Sequence, residues 1–107
     1  MNKTIVYTRT LPIPPEYGRH YAQYVASQLG TELKLAWTWA SDNTITFTVP
    51  EGLAKGASGS LSVDGSTFNL TVDLPIMLAL MEPVVRVKIQ ERFDAVERMA
   101  RGASNAG

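Results

Sequence analysis

The residues of this chain that could carry out catalysis are few and scattered. His20 is the only histidine, and the chain has no cysteine. A zinc site needs more nitrogen or sulfur ligands than this chain supplies, and thiol catalysis is excluded. A Ser-His-Asp arrangement would have to use His20, yet the Gly-x-Ser-x-Gly turn of one large hydrolase class is missing. We therefore expect His20 to be solvated.

Two further patterns have ordinary explanations. The segment Gly56-Ala-Ser-Gly59 superficially suggests a phosphate-binding loop, but it lacks the final Lys-Ser/Thr pair and precedes a predicted strand instead of a helix. Glu91, Asp94 and Glu97 are spaced for one exposed helix surface, which a solvated charged face explains. Because no acid/base or nucleophile constellation remains, we predict that the protein is not an enzyme and uses no cofactor or metal.

Composition limits the class of protein. The chain has 107 residues, of which 45% are hydrophobic and 19% charged, so one folded domain is expected. We assign residues 1–102 to this domain and residues 103–107 to a frayed tail. Ten basic residues balance ten acidic ones, which leaves no electrostatic footprint for nucleic acid or anionic lipid.

The distribution of apolar residues predicts no membrane segment. The first ten residues alternate, which is not the pattern of a signal peptide. The most apolar stretch, Leu74–Val85, is interrupted by Glu82 and Pro83 before it reaches the roughly 20 residues that a spanning helix needs. We therefore expect a cytoplasmic protein.

The first two predicted elements are a strand and a helix. Thr4–Thr8 is short and β-branched, as strands are, and the following Pro-rich segment stops it. A helix then begins near Pro15 and runs to about Leu29, with Gly30 as its C-terminal stop. Its predicted apolar face contains Tyr17, Tyr21, Tyr24, Val25 and Leu29.

Four strands in two hairpins follow. Segments 33–39 and 44–49 alternate in polarity, and a three-residue loop at 41–43 matches their faces by pairing Trp39 with Ile45. This loop would place Asn43 in the left-handed conformation. In the second hairpin, a two-residue turn at Asp64-Gly65 would place Leu61 opposite Phe68.

The last element is a long amphipathic helix with an apolar face of Val85, Ile89, Phe93 and Val96, ending at Gly102. Pro83 cannot lie inside an unbroken helix from Ile76, so residues 76–81 should form a short helical turn that kinks into the long helix. In that turn we predict Ile76, Met77, Leu80 and Met81 as core, with Leu78 and Ala79 pointing the other way.

These elements predict an α+β fold in which an antiparallel sheet of about five strands carries two helices on one face, in the order β-α-β-β-β-β-α. The other face of the sheet would be rich in Thr and Ser but poor in charge. Exposed sheets normally carry more charge. We therefore identify this face, with Thr46 as its test position, as a candidate homodimer surface.

Four local patterns carry a family resemblance. They are a helix from Pro15-Glu16 to Leu29, a glycine-led strand at Gly59–Val63, a strand at Phe68–Pro75 that ends in a Leu-containing turn, and a closing helix that includes Ile89–Asp94. Together they resemble the polyhydroxyalkanoic acid system, or polyhydroxyalkanoate granule-region, family of small bacterial proteins. The Tyr-rich helix and the Pro-rich segment before it depart from the pattern. The resemblance implies a link to storage-polyester metabolism and brings no catalytic residues.

Two functions are compatible with these observations. The first is a non-enzymatic accessory or binding protein of polyhydroxyalkanoate storage, with Leu78 and Ala79 touching a partner subunit, a granule or a granule-associated protein. Alternatively, Leu78 is tucked beneath the 50–58 loop. The second function is a carrier of a small apolar ligand, by analogy with folds that hold ligands between a long C-terminal helix and a curved sheet. Its cavity would be lined by Trp37, Trp39, Phe47 and Phe68; the same aromatic residues could equally be core.

Overall fold

The order of elements follows the sequence prediction. The computed structural model describes residues 3–52 and 54–106, and for residues 103–106 only the backbone. The strands are β1 (Lys3–Thr10), β2 (Ala36–Trp39), β3 (Thr44–Thr48), β4 (Ser58–Asp64) and β5 (Thr67–Leu74). The helices are α1 (Gly18–Leu33) and α2 (Glu82–Ala106), each preceded by a 3-10 turn, at Pro15–Tyr17 and Ile76–Met81. The predicted α+β class is confirmed.

The five strands form one antiparallel sheet in the order β1-β5-β4-β3-β2. The first strand lies beside the last, with Lys3 opposite Leu74 and Thr10 opposite Thr67. The two hairpins fill the rest of the sheet and meet where β3 pairs with β4. Helix α1 contacts β2, β4 and β5, and α2 contacts β1 and α1. The strands and helices thus form two layers with the core between them.

Strand alternation and helix periodicity build that core. Val85, Ile89, Phe93 and Val96 of α2 are all buried, as their spacing predicts. Phe93 packs edge-on against Phe68 of β5, with ring centroids 5.9 Å apart. Aromatic pairs prefer such tilted arrangements. The central position of Phe93 fixes α2 over the β1–β5 side of the sheet.

Helix α1 packs on the sheet through its small side chains, and its predicted apolar face was partly wrong. Gly18, Ala22 and Ala26 are buried together with Val25, Leu29 and Leu33. Tyr17 and Tyr24 are exposed, and Tyr21 is half-buried at the margin of the core. Small residues allow a helix backbone to approach a sheet closely. The bulky aromatic side chains therefore lie at the rim.

The end of α1 also differs from the prediction. The helix continues through Gly30 to Leu33, and Lys34 closes it in the left-handed conformation with φ 62°. Leu33 therefore belongs to the helix and not to the following strand. Glycine is the usual residue at this closing position, but here lysine occupies it. A glycine inside the helix was mistaken for its end.

The two hairpins confirm the predicted faces but not every detail. Trp39 pairs with Ile45 around the 41–43 loop, although Lys34 is the only described non-glycine residue with positive φ, so Asn43 is not left-handed. In the second hairpin Leu61 pairs with Leu70, not Phe68. The turn residues are Gly65 and Ser66, with positive φ at Gly65 alone, as in a type II′ turn. A shift of two residues leaves every side chain on its predicted face.

The C-terminal segment forms the predicted short turn followed by a long helix. Helix α2 continues four residues beyond Gly102, to Ala106, because a glycine inside a helix weakens it without having to end it. Residue 107 lies outside the described residues. Within the described part of the chain, no helix combines the length and apolar character needed to cross a membrane.

Candidate functional surfaces

The most exposed of the large apolar side chains lie in the turn before α2. Ile76 is 63% exposed, Met77 89% and Leu80 92%. The prediction that these three residues belong to the core was therefore wrong. Met81, the fourth, does pack against the core, as does Leu78.

The period of the turn explains the error. The prediction assumed an α-helical spacing, which groups residues 76, 77, 80 and 81. In a 3-10 helix, residues three apart lie on the same side. Leu78 and Met81 therefore share the inner side, while Met77 and Leu80 share the outer side. The backbone N–H of Leu78 donates to the Pro75 carbonyl at 2.8 Å, which anchors this geometry.

The outer side continues into the first turns of α2. Leu80 is followed at helical spacing by Val84 and Val87, which are 42% and 52% exposed. Val84 and Val87 also line a shallow surface depression together with Pro83, Lys88 and Glu91. We call the exposed set the apolar stripe; it consists of Ile76, Met77, Leu80, Val84 and Val87.

Leu78 and Ala79, which we predicted to contact a partner, are both half-buried. Leu78 packs against the core, so most of the apolar surface that this turn presents to solvent belongs to its neighbours. A contact role for Leu78 and Ala79 stays a prediction. The structure moves the centre of any such contact to Met77 and Leu80.

A second surface is the face of the sheet that lies away from both helices, which we call the open face. The strand register aligns its side chains in rows, such as Val6–Thr71–Ser60–Thr46–Thr38. The rows contain nine threonines, three serines, one asparagine, two aspartates, one valine and one alanine. The full set is Thr4, Val6, Thr8, Thr10, Ala36, Thr38, Thr44, Thr46, Thr48, Ser58, Ser60, Ser62, Asp64, Thr67, Asn69, Thr71 and Asp73.

Several hydroxyls of the open face bond to one another across the strands. Thr4 Oγ1 donates to Asp73 Oδ1 at 2.9 Å, and Thr8 Oγ1 donates to Asn69 Oδ1 at 3.0 Å. At the far end of the same strand pair, the hydroxyls of Thr10 and Thr67 lie 2.9 Å apart. Cross-strand pairs of this kind stabilise a sheet. They also satisfy polar atoms within the surface itself.

The strongest polar cluster joins β1 to α2. Arg9 lies 2.6 Å from Asp94 Oδ1 and 3.1 Å from Glu97 Oε1, and it donates a hydrogen bond to the Tyr7 hydroxyl at 3.0 Å. Burial alone would lower the pKa of Arg9, but the hydrogen bonds with Tyr7, Asp94 and Glu97 outweigh it and raise the pKa. Hydrogen bonds from Arg9 and then Arg101 hold the pKa of Glu97 below its ordinary value.

This cluster corrects the prediction of a solvated acidic face. Asp94 and Glu97 are half-buried and pair with Arg9 of the sheet, whereas Glu91 is exposed. Arg9, Asp94 and Glu97 are all paired, and these ion pairs connect α2 to the edge strand β1. A matching contact fastens α2 to α1, where Glu32 lies 3.3 Å from Lys88 and 3.1 Å from Arg92.

Of the four aromatic residues predicted to line a ligand cavity, Phe47 alone lines the small cavity between the helices and the sheet. Trp39 donates from Nε1 to Gln23 at 3.1 Å and lies 4.4 Å beneath the Arg19 guanidinium. Trp37 is half-buried at the margin of the core, whereas Phe47 and Phe68 are buried in it. Trp37 and Trp39 therefore pack beside α1 at the β2 edge.

A small cavity does lie between the helices and the sheet. Its volume is about 20 Å³, and its lining includes Phe47, Leu29, Val72 and Ile89. A space of this size holds about one water molecule, whereas ligand pockets usually measure about 300–1,000 Å³. The cavity gives no support to the ligand-carrier alternative, which stays a prediction.

His20 is exposed, as predicted, with its ring 5.8 Å from that of Tyr21. Over residues 3–52 and 54–106, no three His, Asp or Glu side chains come together in a way that could hold a metal ion. Sequence analysis missed the apolar stripe and the Arg9 cluster. The available signal for the stripe was the three-residue spacing of Met77 and Leu80 in a segment between two prolines. The sequence near Arg9 gave no signal of its partners, because they lie far away in the chain.

Comparison with known proteins supplies the family. Searches of curated proteins and of solved structures gave no match. Residues 7–96 match the model of a family described as "putative polyhydroxyalkanoic acid system protein". This range runs from the middle of β1 to Val96 of α2, and so includes strands β2 to β5, the second half of β1, all of α1 and the turn before α2. The chain belongs to this polyhydroxyalkanoic acid system protein family.

Proposed function

We propose that the protein is a non-enzymatic accessory protein of polyhydroxyalkanoate storage that acts in the cytoplasm by contact with the granule. The apolar stripe is the observation that carries this proposal. Family membership supports a place in the polyester system, and the stripe offers a surface suited to an apolar polymer or to a protein that coats it.

The chemistry of the stripe fits such a partner. Five of the nine large apolar side chains that are exposed in the described residues lie between Ile76 and Val87. Clustered exposed apolar residues mark interaction sites, whereas single ones are normal. Methionine adapts to irregular apolar surfaces because its side chain is unbranched and flexible. An amorphous polyester presents such a surface and needs no fixed pattern of hydrogen bonds.

The polar clusters support a non-enzymatic role. A catalytic acid or base has to face a space that a substrate can enter. Asp94 lines a shallow surface depression, but both Asp94 and Glu97 are paired with Arg9 across the junction of sheet and helix. Glu32 is likewise shared between Lys88 and Arg92. These charges hold helices in place.

Replacement of Leu80 by Glu tests the proposal. Leu80 is almost fully exposed, so the variant should fold normally, because surface changes usually alter stability by less than about 0.5 kcal/mol. Burial of one leucine side chain is worth about 1.5–3 kcal/mol. We therefore expect Leu80→Glu to weaken binding to polyhydroxybutyrate particles by about tenfold to a hundredfold, as measured by co-sedimentation of the purified protein.

Met99→Glu is the matched control, because Met99 is an exposed methionine of α2 outside the stripe. It should bind like the wild type. Native granules, tested beside bare polymer particles, distinguish two partners: binding to native granules alone would identify a granule protein as the target. Equal binding by Leu80→Glu and the wild type, or no binding by the wild type to either particle, would refute the proposal.

A further inference from the structure

We propose that the open face of the sheet is the interface of a homodimer, in which two copies stack face to face. This inference does not depend on the polyester role, since it uses none of the stripe residues. It rests on the distribution of charge over the face, on the hydrogen-bonding capacity of its side chains and on its area.

Charge is confined to the two ends of the open face. Asp73 lies in the row that begins with Thr4, and Asp64 lies in the opposite end row with Thr10. The two rows between them contain only uncharged side chains, from Val6 to Thr38 and from Thr8 to Thr44. The depletion of charge at the centre is a feature that this face shares with protein–protein interfaces.

The hydroxyl groups make the face complementary to itself. A Ser or Thr hydroxyl is both a donor and an acceptor, so a surface of hydroxyls can bond to an identical surface. In a two-fold dimer, the same patch meets itself on both subunits, and a charged centre would then oppose like charges. A partner of different chemistry would be expected to leave some matching charge or apolar pocket on the face, and the central rows show neither.

The cost of removing water from the face is reduced by its internal bonds. The hydroxyls of Thr4, Thr8 and Thr10 already bond to side chains of β5. Burying a polar group is costly mainly when it loses its hydrogen-bond partner. These groups would keep theirs in a dimer.

The area is sufficient for a reversible dimer. Five strands span roughly 24 Å, and four rows along the strands span roughly 25 Å, so the face covers roughly 600 Å² per copy. Two copies would bury roughly 1,200 Å² in total, at the lower limit for specific interfaces. An interface at this limit is typical of weak, reversible association, so micromolar concentrations are the range to test.

The free edge of β1 is a less suitable place for a second copy. Pairing there would extend the sheet, and inward-pointing charges are one device that protects an edge strand from this. Arg9 is such a residue, since its side chain, 19% exposed, points from β1 to the carboxylates of α2. The open face has no such protection at its centre.

Thr46→Lys tests the inference by analytical ultracentrifugation across micromolar concentrations. Thr46 is exposed in a central row, so a dimer would have to bury one added lysine charge from each copy, and we expect the dissociation constant to increase at least about tenfold. Thr31→Lys is the control, with the same change at an exposed position of α1 on the other side of the molecule, and it should dimerise like the wild type. Thr38→Lys, in the same row as Thr46, gives the same reading should Thr46→Lys fail to fold.

A wild-type protein that remains monomeric throughout this range overturns the inference. So does a dimer that survives in folded Thr46→Lys or Thr38→Lys, since it would be formed elsewhere. The granule assay uses different residues, so failure of one proposal is distinguishable from failure of the other.

Discussion

The start of α1 lies close to the β4–β5 turn at Gly18, and replacement of Gly18 by alanine should destabilise the protein. A Cβ at this position would overlap the carbonyl oxygen of Gly65 and lie 2.9 Å from Val63 Cγ2. The first of these atoms belongs to the backbone of the β4–β5 turn, which cannot rotate away as a flexible side chain could. The start of α1 or the turn itself would have to move.

The expected magnitude follows from two opposed effects. Glycine is about 0.5–1 kcal/mol worse than alanine in a helix interior, a gain that is smaller at the first helical residue. Overpacking of a close contact costs about 1–3 kcal/mol. We expect Gly18→Ala to lose about 2 kcal/mol, which lowers the Tm by about 8–16 °C for a domain near this size.

Gly30 supplies the control within the same helix. A Cβ there would lie 3.5 Å from its nearest neighbours, Leu35 and Trp37, which is ordinary contact. Gly30→Ala should therefore gain about 0.5–1 kcal/mol and raise the Tm by about 2–8 °C. Thermal unfolding followed by circular dichroism measures both. If the two variants shift the Tm in the same direction, α1 does not approach the hairpin turn as described.

Two further predictions concern the hairpin and the Arg9 cluster. Gly65→Val should cost about 1–3 kcal/mol in urea unfolding, because φ is 62° at this position and a β-branched residue resists that conformation; unchanged stability would disprove the turn assignment. Arg9 and Arg101 depress the pKa of Glu97 in the folded protein. The Glu97 carboxylate therefore stabilises the fold fully above its unfolded-state pKa of about 4.3. This stabilisation is lost as the pH falls through the folded-state pKa. Unfolding measured from pH 6 to pH 3 should therefore show a shallower loss of stability in Glu97→Gln, and parallel curves would contradict the pairing.

The parts of the fold that the sequence predicts are those with a clear period. Val85, Ile89, Phe93 and Val96 repeat as a helix does, and all are buried. Strand alternation likewise assigned each side chain to its face even where the register of the second hairpin was wrong by two residues. Side chains alternate between the two faces of a strand, so a shift of two residues keeps each side chain on its face, whereas the turn residues determine the register.

The remaining features depend on contacts that the local sequence does not encode. The tyrosines of α1 have the spacing of a core face, but close packing on the sheet selects Gly18, Ala22 and Ala26 instead. Arg9 pairs with Asp94 and Glu97, which are 85 and 88 residues away in the chain. No short-range sequence pattern predicts such a contact. In the segment before α2, the apolar composition was clear, but the choice between α and 3-10 geometry decided which residues face the solvent.

That choice of geometry links the fold to the proposed function. Pro75 before the turn and Pro83 after it both restrict the backbone, and neither donates a hydrogen bond. A regular α-helix through the turn would have divided its apolar residues differently, whereas the 3-10 turn directs Leu78 and Met81 inward and holds Met77 and Leu80 outward. The stripe and the open face share no residue, so a dimer formed through the sheet would carry two stripes. Such a dimer has its helix layers on its two outer sides, so both stripes would raise the affinity for one granule only where its surface reaches both sides of the dimer; otherwise the two stripes would bridge separate surfaces.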